Sequence, residues 1–147
     1  MSSEHINPIL SQTDELIRLS FFAEMGKSIA SAATLHETLQ AVMKQIGDIF
    51  APLNWSLLLR DFKTGDLRFA VAVGSGRDQL EGKVLPRGKG IAGWIAENKQ
   101  SVIIEDVRKD SRFSNEMDGL TGFVTKSIIG VPLVSRGKVF GVIELIN

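Results

Sequence analysis

Among the polar side chains of the largely apolar C-terminal segment DGLTGFVTKSIIGVPLVSRGKVFGVIELIN, residues 118–147, four are candidates for contact with a ligand. They are the carboxylates of Asp118 and Glu144 and the hydroxyls of Thr121 and Thr125. A hydroxyl both donates and accepts hydrogen bonds, whereas a carboxylate accepts them and needs a donor when it is buried. A small polar ligand would satisfy these groups. The alternatives are a turn cap at Asp118, turn or strand-start threonines, and a Glu144 that faces solvent.

The glycine-rich stretch GKGIAG, Gly88 to Gly93, is a second candidate site because it matches the dinucleotide-binding pattern G-x-G-x-x-G. That fold needs a long helix after the glycines, then a parallel strand with an acidic residue about 20 positions on. Here only about eight helical residues precede the next strand, and the preceding strand carries Pro86. We therefore expect the glycines to allow a tight turn and a close approach of the helix to the sheet.

The composition excludes several kinds of active site. The 147 residues include no cysteine and only two histidines, His5 and His36. This leaves no thiolate metal site, no cysteine nucleophile and no cofactor attached through sulfur, so we expect no metal and no cofactor. Seventeen basic residues balance 17 acidic ones, which gives no electrostatic signal for nucleic acid or an anionic membrane. The start lacks the layout of a signal peptide, and no apolar run approaches the ~20 residues of a membrane span, so we expect a cytoplasmic protein.

The first third of the chain has helical periodicity. Thr34 and Glu37 have the spacing of a capping box at the start of TLHETLQAVMKQIGDIF, and Pro52 follows its end. A second helical stretch, SQTDELIRLSFFAEMGKSIASA, precedes that cap. Its looser apolar stripe consists of Leu16, Leu19, Phe22, Ile29 and Ala33. Two interpretations of the stripe are open: it packs on its own domain, or it pairs with its copy in a dimer.

From residue 55 the apolar period changes to two, which predicts strands. WSLLLR and LRFAVAV flank the turn DFKTGD, a short edge strand KVLP follows, and the helix GIAGWIAEN precedes the strand SVIIEDV. A loop is predicted from residue 107 to about residue 125, and SIIGVPLVS and KVFGVIELI then form a hairpin through Gly137. Helices before mostly antiparallel strands imply the α+β class, with helices packed on one sheet.

In this order, the elements resemble a GAF domain, a small-molecule-sensing regulatory module of signalling proteins. The resemblance covers about residues 35–147, and its most specific parts are GIAGW and the run from Asp118 to Asn147. It implies a six-stranded antiparallel sheet with helices packed on one face and a ligand pocket under loops on the other. We expect residues 1–33 to form an N-terminal helical segment, a candidate dimer helix. Residues 34–147 are expected to form the GAF domain without its C-terminal helix.

The resemblance is greatest to the regulatory GAF domains of cyclic-nucleotide phosphodiesterases and adenylate cyclases. On the positions that match their pocket pattern, it implies seven ligand-binding residues: Ser56, Ile91, Ala92, Asp118, Thr121, Thr125 and Glu144. The backbone of Ile91 and Ala92 would face a phosphate, which a helix N-terminus favours. The sequence departs from the pattern at the end of the second strand. There Ala72 and Val73 replace an aromatic residue and an aspartate that engage the purine, so two base contacts are missing.

The resemblance implies a non-catalytic regulatory domain that binds a small molecule, with a cyclic nucleotide as the first candidate, and relays binding through its helices. The implied partners are a second copy of the chain, through the N-terminal helices, and a C-terminal output domain in the full-length protein. Neither nucleic acid nor a membrane is expected. The alternative is a ligand-free GAF module for dimerisation or protein interaction. Methionine sulfoxide reductase activity exists in this fold but depends on cysteines, which this chain lacks.

Overall fold

A computed structural model describes residues 8–31 and 34–147 of the chain. The helices are α1 (Pro8–Ser31), α2 (Leu35–Phe50), α3 (Arg77–Leu80), α4 (Gly90–Asn98) and α5 (Glu116–Thr121). The strands are β1 (Asn54–Arg60), β2 (Leu67–Val73), β3 (Val84–Leu85), β4 (Val102–Ile104), β5 (Ile128–Ser135) and β6 (Lys138–Ile146). The chain divides into two compact units, with the boundary between Ile49 and Phe50. None of the described helices is long and apolar enough to cross a membrane.

The predicted capping box starts α2. The Thr34 N–H donates to Glu37 Oε2 at 3.0 Å, and the Glu37 N–H donates to Thr34 Oγ1 at 3.2 Å. These two bonds satisfy two of the N–H groups that a helix start leaves without partners. The helix then runs to Phe50, two residues before Pro52.

α1 coincides with most of the predicted N-terminal helical segment. Leu16, Leu19 and Phe22, which belong to its apolar stripe, are exposed by 67, 60 and 65%. These three side chains are therefore not buried within this chain. The other stripe residues, Ala33 and the side chain of Ile29, lie outside the described residues.

The second unit is built on one six-stranded sheet in which all neighbouring strands are antiparallel. The strand order is β3-β2-β1-β6-β5-β4, so the first and last strands of the chain lie side by side in the middle of the sheet. β3 ends just before Pro86 and forms one edge, as predicted, because proline lacks the N–H that an inner strand needs. The α+β class and the six-stranded antiparallel sheet are confirmed.

The predicted hairpin at the C-terminal end is formed by β5 and β6. It turns through Arg136 and Gly137, whose φ angles are +50° and +75°. Two consecutive positive φ angles match the twist of antiparallel strands, and glycine adopts them without steric cost.

Residues 101–125 fold differently from the prediction of one strand and a long loop. β4 has three residues, and the chain then enters a 3-10 turn over Val107–Lys109. The Asp106 carboxylate starts that turn by accepting the Arg108 N–H at 3.1 Å. α5 lies within the predicted loop, and α3, between β2 and β3, is also absent from the sequence prediction. Helices this short contain too few residues to show a repeating apolar face.

One face of the sheet carries the main apolar core. Phe69, Ile128 and Val142 from the strands are buried together with Ile95 of α4. α4 approaches β5 closely because Gly130 has no side chain: a Cβ there would lie 2.3 Å from Ile95 Cδ1. Burial of a side chain of this size contributes about 1.5–3 kcal/mol. These contacts hold α4, and with it one wall of the candidate site, against the sheet.

The GKGIAG glycines form the turn into α4. Gly88 and Gly90 have φ angles of +73° and +67°, and a Cβ on Gly93 would lie 2.5 Å from the carbonyl carbon of Gly88. The turn closes on its own backbone, which confirms the prediction of a tight turn. α4 has nine residues and leads to the antiparallel edge strand β4, so residues 84–104 do not form the βαβ unit of a dinucleotide fold.

Candidate functional site

One pocket of the second unit brings together all seven residues that the sequence analysis assigned to a ligand: Ser56, Ile91, Ala92, Asp118, Thr121, Thr125 and Glu144. β1 and β6 supply the pocket floor, which we define as Ser56 and Glu144. The start of α4 supplies a wall, and α5 with residues 122–125 supplies the pocket roof. The cavity volume is about 90 Å³. The role of these residues in binding a ligand stays a prediction.

The pocket floor consists of two buried polar side chains on neighbouring strands. Ser56 of β1 lies directly opposite Glu144 of β6, so both side chains point to the same face of the sheet. Ser56 is exposed by 3% and Glu144 by 8%. Within residues 8–31 and 34–147, the Ser56 hydroxyl has no hydrogen-bond partner, and the Glu144 carboxyl makes no hydrogen bond or ion pair. Buried polar groups without partners are rare in folded proteins, and they mark a place where a ligand or water completes the structure.

The electrostatic environment of Glu144 favours its neutral form. Burial raises the pKa of this carboxyl to about 7, because a charged carboxylate loses its hydration in the apolar surroundings. In the part of the chain that the structure describes, no lysine, arginine or histidine lines the pocket and offers an opposite charge. Because its side chain is buried, the alternative that Glu144 faces solvent is wrong.

The pocket roof is held by a clamp between Asp118 and Thr125. Asp118 Oδ1 accepts the Thr125 hydroxyl at 2.6 Å, and Asp118 Oδ2 accepts the Thr125 N–H at 2.8 Å. Both carboxylate oxygens of Asp118 thus have partners inside the protein. Sequence reasoning assigned Asp118 to the ligand, but in this structure its bonds fix the residues that follow α5. The Thr125 side chain is buried at the pocket surface.

Thr121 closes α5 at the other end of the roof. Its hydroxyl accepts the Phe123 N–H at 3.2 Å, and Gly122 has a φ angle of +73°, which ends the helix. Thr121 also packs over the turn before α3, where a Cβ on Gly76 would lie 2.4 Å from Thr121 Cβ. Thr121 therefore stabilises the pocket roof through these contacts and also lines the pocket.

The start of α4, which forms a wall of the pocket, contains main-chain N–H groups without intrahelical partners. The Gly93 N–H is the first in the helix with an acceptor, the Lys89 carbonyl at 3.1 Å. The N–H groups of Gly90, Ile91 and Ala92 precede it and have no intrahelical partner, as in any helix start. All three residues line the pocket. The ammonium group of Lys89 forms an ion pair with Glu116 of α5, which joins the wall to the roof.

The end of β2 brings no polar side chain to the pocket, as the sequence predicted from Ala72 and Val73. Val73 lines the pocket and Ala72 is buried, and neither side chain has a hydrogen-bonding group. The polar groups near this end come from residues that sequence reasoning missed. Asn54 Oδ1 accepts the Ser75 N–H at 2.6 Å, and both residues line the pocket.

Sequence reasoning also missed most of the apolar lining. Phe69 and Leu85 come from the sheet, and Phe113 and Met117 come from the segment predicted as a loop. Helical spacing could not have found them, because Phe113 lies before the start of α5 and α5 itself has only six residues. Among the described residues, no group of three or more histidine, cysteine, aspartate or glutamate side chains could hold a metal ion.

Comparison with known proteins gives partial matches to cyclic-nucleotide phosphodiesterases. The dual 3′,5′-cyclic-AMP and -GMP phosphodiesterase 11A of Takifugu rubripes is 47% identical over 64 residues, which are 43% of this chain and 7% of that protein. The cone cGMP-specific 3′,5′-cyclic phosphodiesterase subunit alpha′ of Mus musculus is 41% identical over 64 residues, which are 44% of this chain and 7% of that protein. The matched segment thus spans less than a tenth of either relative.

The fold has close counterparts among solved structures. The GAF domain from the Acinetobacter phosphoenolpyruvate-protein phosphotransferase superposes with a TM-score of 0.77 at 23% identity, covering 89% of this chain and 77% of that one. At this sequence identity, the similarity shows only that the two folds are alike. The sequence of residues 34–147 matches the GAF domain family, and this match confirms the resemblance that the motifs predicted. The chain therefore belongs to the GAF domain family of regulatory sensor domains.

Proposed function

We propose that this chain is the ligand-sensing regulatory domain of a signal-transduction protein and that a small molecule binds in the pocket between β1, β6, α4 and α5. The observation that carries the proposal is the pocket floor, where the buried Ser56 hydroxyl and Glu144 carboxyl lack partners among the described residues. Such groups cost about 1–3 kcal/mol each when left unsatisfied. A ligand that bonds to them recovers that free energy and so gains affinity.

A cyclic nucleotide is the first candidate ligand. The free N–H groups at the start of α4 favour a phosphate, and the pocket floor offers hydrogen bonds to a base edge or a ribose hydroxyl. The similarity to phosphodiesterases that are named for cyclic AMP and cyclic GMP supports this candidate. Ala72 and Val73 weaken it, because each lost contact with a base is worth about 1–3 kcal/mol.

Entry of a nucleotide requires movement of the pocket roof. The cavity of about 90 Å³ is smaller than the roughly 300–1,000 Å³ of ligand pockets. The exposed Lys89–Glu116 ion pair joins the roof to the wall, whereas the Asp118–Thr125 clamp lies within the roof itself. Outward movement of α5 on binding would be passed on through the helices. A coupling free energy of about 1–3 kcal/mol suffices for such regulation.

Thermal unfolding in the presence of cyclic nucleotides, other purines and small metabolites tests the proposal. A ligand at ~100 times its dissociation constant adds about 2.7 kcal/mol of stability, which raises the unfolding temperature by several degrees. Glu144→Ala and Thr125→Ala should each reduce the shift, whereas Glu105→Ala, at an exposed position outside this pocket, should preserve it. Equal shifts in all four proteins would place the ligand elsewhere and remove the pocket assignment.

A second candidate function is a ligand-free module for dimerisation or protein interaction. The exposed side chains of Leu16, Leu19 and Phe22 on α1 favour it, because burying three large apolar groups against a second copy would be favourable. The small cavity also agrees with a pocket that its own side chains largely fill. A protein that is dimeric in solution and whose unfolding temperature responds to no compound would support this function over the sensor.

A further inference from the structure

The pocket is lined by acidic side chains without any basic one. Its three acids are Glu116, Asp118 and Glu144, and no lysine, arginine or histidine of the described chain lines it. Asp118 is satisfied by the hydroxyl and N–H of Thr125, and Glu116 is ion-paired with Lys89. Glu144 is the one acid of the three that has no hydrogen-bond or ion-pair partner among the described residues.

The charged groups on the surrounding elements do not reach Glu144. On β1, Arg60 lies at the far end of the strand and is bound to Glu97 of α4, which also accepts Arg87 at 2.9 Å. The groups that face Glu144 across the sheet are neutral: Ser56 on β1 and Gly130 on β5. Among the described residues the carboxyl therefore has no counter-ion, and a ligand that enters the pocket can change its charge.

A buried carboxylate without a partner among the described residues favours a ligand edge with two adjacent N–H donors. A carboxylate accepts two parallel N–H bonds, and such charge-assisted bonds are about twice as strong as neutral ones. A carboxylic acid can accept only one of them well, since its other oxygen carries a proton. The Ser56 hydroxyl beside it is free to donate to, or accept from, a third atom of the same ligand.

We propose that binding in this pocket is coupled to the loss of one proton from Glu144: below neutral pH the empty pocket holds mainly the carboxylic acid, and a ligand with a guanine-, guanidine- or amidine-like edge binds the carboxylate. This inference rests on the proposed function, because it requires that the pocket binds a small molecule. The proton leaves the carboxyl for the solvent, and two N–H···O bonds replace the O–H bond. The raised pKa of Glu144, about 7 in the empty pocket, agrees with this exchange.

Isothermal titration calorimetry with cyclic GMP tests the proton release. At pH ~6, the heat measured in two buffers of different ionisation enthalpy should report release of most of one proton per ligand, and the affinity should rise about fivefold to tenfold between pH ~6 and pH ~8. Glu144→Gln should abolish both effects. Glu105→Gln, an exposed acid outside this pocket, should retain them. Cyclic IMP, which lacks the exocyclic amino group, should bind more weakly and release less proton.

The possible results overturn the inference, sustain it or separate it from the proposed function. Proton uptake on binding, or the same proton release by Glu144→Gln, would overturn the inference while leaving the sensor function intact. If cyclic GMP does not bind at either pH, cyclic GMP is excluded as the ligand of the proposed function. The protonation of Glu144 is then tested by titrating its carboxyl in the empty protein by ¹³C NMR. Ionisation near the ordinary value of 4.5 would overturn the inference, and ionisation near 7 would sustain it.

Discussion

Replacing Glu144 by glutamine should change how the stability of the empty protein depends on pH. In the folded protein, burial raises the pKa of Glu144 from 4.5 to about 7. Between these two values the folded state holds a proton that the unfolded chain has released, so stability falls as the pH rises. The stabilising effect is complete below pH ~4.5, is lost progressively up to pH ~7, and changes little above that.

The size of the effect follows from the same two pKa values. One pKa unit corresponds to about 1.4 kcal/mol, so the interval from 4.5 to about 7 gives a loss of about 3 kcal/mol in the wild type. Glutamine keeps the shape of the side chain and cannot ionise. The free energy of unfolding of Glu144→Gln, relative to the wild type, should therefore rise by up to about 3 kcal/mol between pH ~4.5 and pH ~8.

Urea denaturation at a series of pH values measures this difference directly. Other ionisable groups act equally in both proteins and cancel: Asp106 and Asp110, whose pKa values are lowered to about 2 by bonds from neighbouring arginines, affect both proteins in the same way at low pH. Glu105→Gln, at an exposed position, controls for loss of a negative charge. Parallel pH curves for the wild type and Glu144→Gln would refute the view that Glu144 is neutral in the empty pocket.

Three further substitutions test the pocket roof, the wall and α1. Thr125→Val removes the hydroxyl bond of the roof clamp and should lower the free energy of unfolding by about 1–3 kcal/mol in urea titrations, whereas Thr125→Ser should lose much less. Gly93→Ala forces a Cβ against the backbone of the turn into α4 and should lower the free energy of unfolding by about 1–3 kcal/mol. Gly119→Ala, which has open space around it, should leave the free energy of unfolding unchanged or raise it slightly. Equal losses of stability in the two variants would contradict the steric argument. Leu19→Glu should convert any α1-mediated dimer to a monomer in analytical ultracentrifugation. Ile17→Glu, at an exposed position on the opposite face of α1, serves as the charge control, and a dimer that survives Leu19→Glu would place the interface elsewhere.

The balance between the two proposed functions depends on the roof. Its contacts combine a clamp at the pocket surface, Asp118 with Thr125, and a partly exposed ion pair, Lys89 with Glu116. Exposed ion pairs contribute little, about 0–1 kcal/mol, so the wall and roof are joined weakly at that point. A roof of this kind can open for a ligand at moderate cost. This makes the small cavity of the empty pocket compatible with a sensor.

The sequence by itself determined the elements whose causes are local. The capping box of Thr34 and Glu37 predicted the start of α2, and a period of two predicted β1, β2, β5 and β6 close to their observed bounds. The positive φ angle at Gly137 follows from the tight turn that the flanking strands require. The resemblance to GAF domains also selected residues that the fold gathers around one pocket.

Only the tertiary structure decided what each polar group does there. Ser56 and Glu144 come from opposite ends of the second unit, and the placement of β1 beside β6 makes them neighbours. The same fold gives Asp118 a partner in Thr125 and leaves Glu144 with none among the described residues. Local patterns reflect interactions within a few residues, whereas desolvation and hydrogen bonding depend on all the atoms that surround a group in space. The sequence could therefore predict which residues meet, but not which of them remains unsatisfied.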